Sequence, residues 1–283
     1  MKKNDLYKYW REFQIDSKKI EKIIIKVTGL SKSQLFLLDE IDEEYLKEIK
    51  NAFYRLSNWE PLEYIIKNAE FYSLDFYVDS RVLIPRDDTE IMVDKAIDSI
   101  INYEWITLID VGTWSSCIPI SIVKNTNKVN NCYVIDISKN ALDISKKNII
   151  NHNLEKKIKQ INWDLLKNIL SDNSYDLKKN VIITANLPYI KDNDFENIDE
   201  ETMQFEPALA LYWWKNTWFE LYEQLIREVQ QLKNIKNIDS LILFIEIWFD
   251  QKEYSEKYLN KLNLKFNIFK DNNWIHRCIK IEF

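Results

Sequence analysis

Asn186, Leu187, Pro188 and Tyr189 form the segment best equipped for chemistry on a planar nitrogen. Asn186 brings an amide donor and a carbonyl acceptor. Pro188 biases Leu187 toward an extended backbone, which holds the Leu187 carbonyl in one direction. Tyr189 adds a flat face. Together they can grip an amide or amino nitrogen by its two hydrogens. For the tetrapeptide alone, a strand running into a turn is an equally good reading.

A second group lies upstream. The stretch DVGTWSSC (110–117) falls at a strand-to-helix turn, where backbone N–H groups and a helix N-terminus can meet a cofactor's charged end. Asp136 ends the next strand, placed to accept both hydroxyls of a ribose. That pairing points to an adenosine-containing cofactor, against the plainer reading of a helix cap and a strand-end acid. The first turn lacks the spaced glycines of a dinucleotide site, which disfavours a nicotinamide enzyme.

These residues need a sheet whose C-terminal rim gathers them. From residue 105 the pattern alternates strand and helix: strands at 105–112, 132–138, near 159–163, 181–186 and 241–247, and helices at 117–124, 139–151 and 217–233. Two further strands at 264–269 and 276–283 complete a doubly wound α/β sheet with an antiparallel edge. Residues 1–60 read as helical: Ser31 and Gln34 have capping-box spacing, and 41–56 carries apolar residues at helical period. Residues 61–84 alternate aromatic and polar positions, as a β-hairpin linker would. Asp87 or Asp88 is placed to cap a helix over 89–102. The expected domains are therefore 1–60 helical, 61–84 hairpin linker and 85–283 sheet.

Composition narrows the class. A length of 283 residues with 46% hydrophobic and 30% charged content describes a globular chain with ample core. A net charge of -6 argues against stable, nonspecific nucleic-acid binding. The N-terminus has no apolar run of signal length, and the most apolar stretch, residues 241–249, is short of a membrane span. The expectation is a cytoplasmic protein with no membrane association. Three dispersed cysteines and two histidines leave no metal site and no histidine-based triad.

Taken together, the motifs resemble the HemK/PrmC family, S-adenosylmethionine-dependent methyltransferases that modify the glutamine of the GGQ motif in peptide chain release factors. The resemblance covers nearly the whole chain: EPLEYI, AEFY, LIPRDDTEIMV, IDVGTWSSCIPISI, VIDIS, NLPYI, EPALAL, EIWFDQ and a terminal Asp…Arg. NLPY alone is weak, because methyltransferases of RNA adenines share it; PRDDTE in this order is more specific. The resemblance implies a Rossmann-like methyltransferase sheet of seven strands with an antiparallel edge and a small N-terminal helical, substrate-docking domain. It implies that the Asn186 side-chain oxygen and the Leu187 carbonyl accept the two substrate amide hydrogens while Pro188 and Tyr189 shape the site. It also implies that Asp110, Gly112, Thr113, Trp114, Ser115, Ser116, Asp136, Asp164, Leu165 and Asn186 line the S-adenosyl-L-methionine site. Leu187 stands where the family more usually has proline, which a backbone-carbonyl contact tolerates. Pro85, Arg86, Thr89, Glu90, Glu206, Pro207 and Glu246 are family-marked without a derivable role.

The departure from the family is systematic. The chain has two glycines where average usage predicts roughly 20. Tryptophan stands at family glycine positions 59, 114, 163, 213, 214, 218, 248 and 274, eight of the ten tryptophans. Trp10 and Trp105 match no motif glycine. Lys67 and Ser116 also replace family glycines. Independent mutation would not choose one bulky residue eight times. The expectation is that the gene uses UGA for glycine and was translated with a code that reads it as tryptophan, a reassignment some bacterial lineages make. The rivals are a diverged, Trp-rich family member, a glutamine methyltransferase of a ribosomal protein, an adenine-amino methyltransferase of RNA or DNA, and a non-catalytic binding protein plugged by Trp114.

Overall fold

The computed structural model describes residues 1–11, 13, 15–188, 204–207 and 219–283. The chain divides into two compact units, the first built on Met1–Asn68 and the second on the chain from Ala69 onward apart from a short later segment.

The first unit is helical: α1 Lys3–Arg11, α2 Ser17–Thr28, α3 Lys32–Leu37, α4 Glu43–Ser57 and α5 Leu62–Ile66. The Asp16 side chain caps α2 by accepting from the Lys18 N–H, and Gly29 stops it in the left-handed region at φ +70. The capping box expected from Ser31 and Gln34 opens α3. Helical spacing in α4 turns Ile49, Ala52 and Phe53 into a core shared with Leu6, Trp10, Ile20, Ile23 and Ile24. The Trp10 ring stacks on Phe53 at 4.4 Å. Burying each such side chain stabilises by about 1.5–3 kcal/mol.

The segment expected as a hairpin over 61–84 is only partly one. Residues 62–66 are helical because Leu62, Ile65 and Ile66 follow a helical period into that apolar core. The hairpin is confined to β1 Ala69–Phe71 and β2 Leu74–Phe76.

The second unit carries α6 Glu90–Ile100, β3 Ile106–Val111, α7 Cys117–Asn125, β4 Val129–Asp136, α8 Lys139–Asn151, β5 Ile158–Asn162, α9 Lys167–Ser171, β6 Asn180–Ala185, α10 Glu220–Ile235, β7 Ser240–Glu246, α11 Lys252–Lys261, β8 Lys265–Lys270 and β9 His276–Glu282. Seven strands form one sheet in the order β5-β4-β3-β6-β7-β9-β8. The first five are parallel; β9 lies antiparallel between β7 and β8. This is the doubly wound sheet with an antiparallel edge read from the sequence. The central strands β3, β6 and β7 are apolar nearly throughout because both their faces are covered. One face packs Ile109, Val111 and Ile183 against Leu225 and Val229 of α10. The other packs Leu108, Ile182 and Phe244 against Val93 and Ala96 of α6 and Ile122 of α7.

One capping expectation fails. Neither Asp87 nor Asp88 caps α6; Asp87–Thr89 forms a 3-10 turn, and the Asp88 carboxylate pairs with Arg277 at 2.9 Å instead. A charge-assisted bond from a guanidinium outcompetes a helix N–H for that carboxylate.

Candidate active site

Strand order puts the C-terminal ends of β3, β4, β5 and β6 side by side, and each end delivers part of the site. After β3 the chain turns at Gly112, φ +70. A Cβ built there would meet Leu187 Cδ2 at 2.8 Å and the Asn186 carbonyl at 3.4 Å, so this turn tolerates only glycine comfortably. The N–H groups of Gly112 and Thr113 both donate to the Ile135 carbonyl, at 2.9 and 3.1 Å, which locks the turn onto β4. Beyond it, Thr113 and Ser116 share a hydroxyl bond at 2.9 Å, and Ser116 meets Ser145 of α8 at 2.6 Å. The Ser115 carbonyl accepts from Asn148 at 2.9 Å. These hydroxyls are consumed inside the protein. Thr113, Ser115 and Ser116 are buried in the loop, the Ser115 hydroxyl without a hydrogen-bond partner among the described residues, and none of the three is among the residues lining the cavity.

Asp110 lies one turn deeper, fully buried. Thr184 donates to its Oδ1 at 2.6 Å, and burial holds its carboxyl up at about 6. Asp136 ends β4. Its Oδ1 accepts from the Ser138 N–H at 2.8 Å and its Oδ2 from the Trp114 N–H at 3.0 Å. Burial pushes the Asp136 carboxyl up to about 6 against those two bonds. Beyond β5, Leu165 is buried and forms a wall, while the Asp164 carboxylate is held by Lys167.

Asn186 follows β6. Its side-chain amide donates to the Thr89 hydroxyl at 3.4 Å, and both residues are buried. The Leu187 N–H donates to the Tyr222 hydroxyl at 3.0 Å. Pro188 closes the described part of this segment, and Tyr189 lies outside the described residues.

Between these ends is a cavity lined by Gly112, Trp114, Asp136, Leu165, Leu187 and Pro188 among others. Ile137, Trp163 and Leu221 also line it and were not named from the sequence as site residues, Trp163 having been marked only as standing at a family glycine position. Ile137 was findable: it is an exposed apolar residue directly after the strand-end acid. The cavity volume is about 50 Å³. An adenosine-sized ligand needs about 300 Å³ or more. Trp114 stands in the cavity: its indole is buried and its Nε1–H donates to the Asn186 carbonyl at 3.1 Å. Its backbone is left-handed at φ +48, costing about 1–3 kcal/mol for a bulky residue. The glycine turn, the acid and the apolar walls fit an adenosine-bearing cofactor; the side chain at 114 does not.

The PRDDTE residues, roleless in sequence, act as ties. Arg86 pairs with the buried Glu206 at 2.6 Å, Asp88 with Arg277, and Glu90 accepts the Tyr72 N–H at 2.6 Å. Thr89 holds Asn186. Glu246 is buried at the end of β7. Among the described residues no cluster of metal-ligating side chains occurs, and no helix is long and apolar enough to cross a membrane.

Over 267 residues the chain is 31% identical to the release factor glutamine methyltransferase of Clostridium botulinum, covering 92% of this chain and 89% of that protein. The release factor glutamine methyltransferase of Mycoplasma mycoides subsp. mycoides is 32% identical over 257 residues, covering 89% of this chain and 83% of that one. The chain belongs to the release factor glutamine methyltransferase family. No family model matches it. Among solved structures, the hMettl16 catalytic domain in complex with MAT2A 3'UTR hairpin 6 aligns with a TM-score of 0.55 at 13% identity, over 86% of this chain and 83% of that one. A human methyltransferase 10 domain containing protein gives a TM-score of 0.53 at 16% identity, over 74% and 88%. Those likenesses establish a methyltransferase fold. In this methyltransferase the turn after β3, the end of β4 and the Asn186–Leu187–Pro188 segment fall at the sheet rim where the cavity lies.

Proposed function

We propose that this methyltransferase transfers a methyl group from S-adenosyl-L-methionine to the side-chain amide nitrogen of a glutamine in a peptide chain release factor, in the cytoplasm. The observation that carries the reading is the buried pairing of Asn186 with Thr89, beside a Leu187 peptide fixed by Tyr222. A primary amide nitrogen is a poor nucleophile, its lone pair delocalised into the carbonyl. The Thr89 hydroxyl occupies the amide end of Asn186, reserving the side-chain oxygen for one substrate hydrogen. The Leu187 carbonyl takes the other. Held at both hydrogens, the nitrogen has one orientation left, and catalysis is chiefly positioning and electrostatics in a dry pocket. The cofactor supplies a methyl group on a positively charged sulfur. Asp136 would hold its ribose, the Gly112 turn would let the backbone approach it, and Leu165 would flank its base. Tyr189 would cover the amide plane.

The test is to incubate the Trp114→Gly protein with a release factor and the cofactor and to read the mass of the GGQ peptide. A singly methylated glutamine is expected. Methylation of a ribosomal protein instead, or of an adenine in RNA, would replace the substrate named here. A second reading, a non-catalytic binding protein, has one observation in its favour: the indole of Trp114 in the cavity.

A further inference from the structure

We infer that positions 59, 105, 114 and 274 are glycine in the natural protein, and that Trp10 is a true tryptophan. Eleven non-glycine residues among those described have a left-handed backbone, and Trp59, Trp105, Trp114 and Trp274 are four of them, at φ +67, +60, +48 and +64. Seven tryptophans are described, so more than half adopt a conformation that only roughly a few per cent of non-glycine residues adopt. All the other described non-glycine residues together contribute seven.

The backbone roles are glycine's own. Trp59 follows α4, with the Glu60 N–H donating to the Arg55 carbonyl at 3.2 Å, the long bond of a Schellman end whose left-handed residue is usually glycine. Gly29 is the left-handed residue that ends α2. Trp274 closes the β8–β9 connection: its N–H donates to the Asp271 carbonyl at 3.1 Å, and the Asp271 N–H to Ile275 at 2.9 Å. That is a type I turn followed by a left-handed residue, the bulge position glycine fills in three-residue hairpins. Trp114 stands in the cofactor turn and fills it.

The side chains add little in return. Trp59, Trp105 and Trp274 are 59%, 66% and 79% exposed. Trp10 is the opposite: it lies inside α1, buried, with its ring stacked on Phe53. Motif matching left Trp10 and Trp105 together as unmatched; the backbone separates them. Trp163 and Trp248 lie outside the left-handed region, so their backbone makes no demand, and Trp213, Trp214 and Trp218 lie outside the described residues.

One codon read two ways explains the pattern: UGA meaning glycine in the host. The inference stands on backbone geometry and is independent of which substrate is methylated. Two readings test it. The gene is expected to carry UGA at codons 59, 105, 114 and 274 and UGG at codon 10, and peptides of the protein purified from its host are expected to show glycine masses at the four positions. UGG at any of the four, UGA at codon 10, or a tryptophan mass at 114 in the host protein would overturn it.

Discussion

The Leu187 N–H donates to the Tyr222 hydroxyl at 3.0 Å, with both residues buried. Tyr222 belongs to α10, and this bond ties the helix to the peptide whose carbonyl is proposed to hold the substrate. Tyr222→Phe keeps the ring and removes the partner, leaving a buried N–H unsatisfied at a cost of about 1–3 kcal/mol. Turnover should fall while cofactor affinity stays close to the parent value, as measured by methyl transfer and calorimetry. Unchanged turnover, or a loss of cofactor binding in step with turnover, would show that the bond serves something else.

The Asp136 carboxyl is held at about 6 by burial, above its ordinary 3.8. Only its ionised form accepts strongly from two ribose hydroxyls. Since the raised value means the proton leaves late, cofactor affinity should climb as pH rises through about 6, by up to about tenfold per pH unit below that point. Asp136→Asn should bind weakly with a flat profile; calorimetry across the range decides it.

Trp114→Gly removes the indole from the cavity and the left-handed strain together. The bond to the Asn186 carbonyl, worth about 1 kcal/mol, is lost, against about 1–3 kcal/mol of backbone strain relieved. Thermal stability should hold or rise, and binding of S-adenosylmethionine should strengthen at least tenfold. Equal binding before and after would mean that the indole does not block the cofactor.

Gly112→Ala tests the turn itself. The new methyl would crowd Leu187 at 2.8 Å and force a left-handed alanine, a destabilisation of about 1–2 kcal/mol. Denaturant unfolding measures it, and a stabilised variant would contradict the geometry.

The strands and their rim were legible because buried parallel strands are continuous apolar runs and because an acid or an asparagine ends each run at a fixed place. Asn186 and Asp136 could be found that way. The partners of PRDDTE could not: Arg86 meets Glu206 and Asp88 meets Arg277 across 120 and 189 residues, separations at which one sequence carries no pairing signal. The helix over 62–66 was hidden because its five residues are too few to separate helical period from alternation. Trp105 escaped because motif spacing marks glycines that contact something, whereas its own need is a backbone angle.

The most direct measurement compares methyl transfer to the release factor glutamine by the Trp114→Gly protein with transfer by the same protein carrying Asn186→Ala as well, alongside cofactor binding to both. The first should methylate the glutamine; the second should bind the cofactor nearly as well and transfer nothing. Unchanged turnover in the second would remove Asn186, and with it the amide grip, from the mechanism.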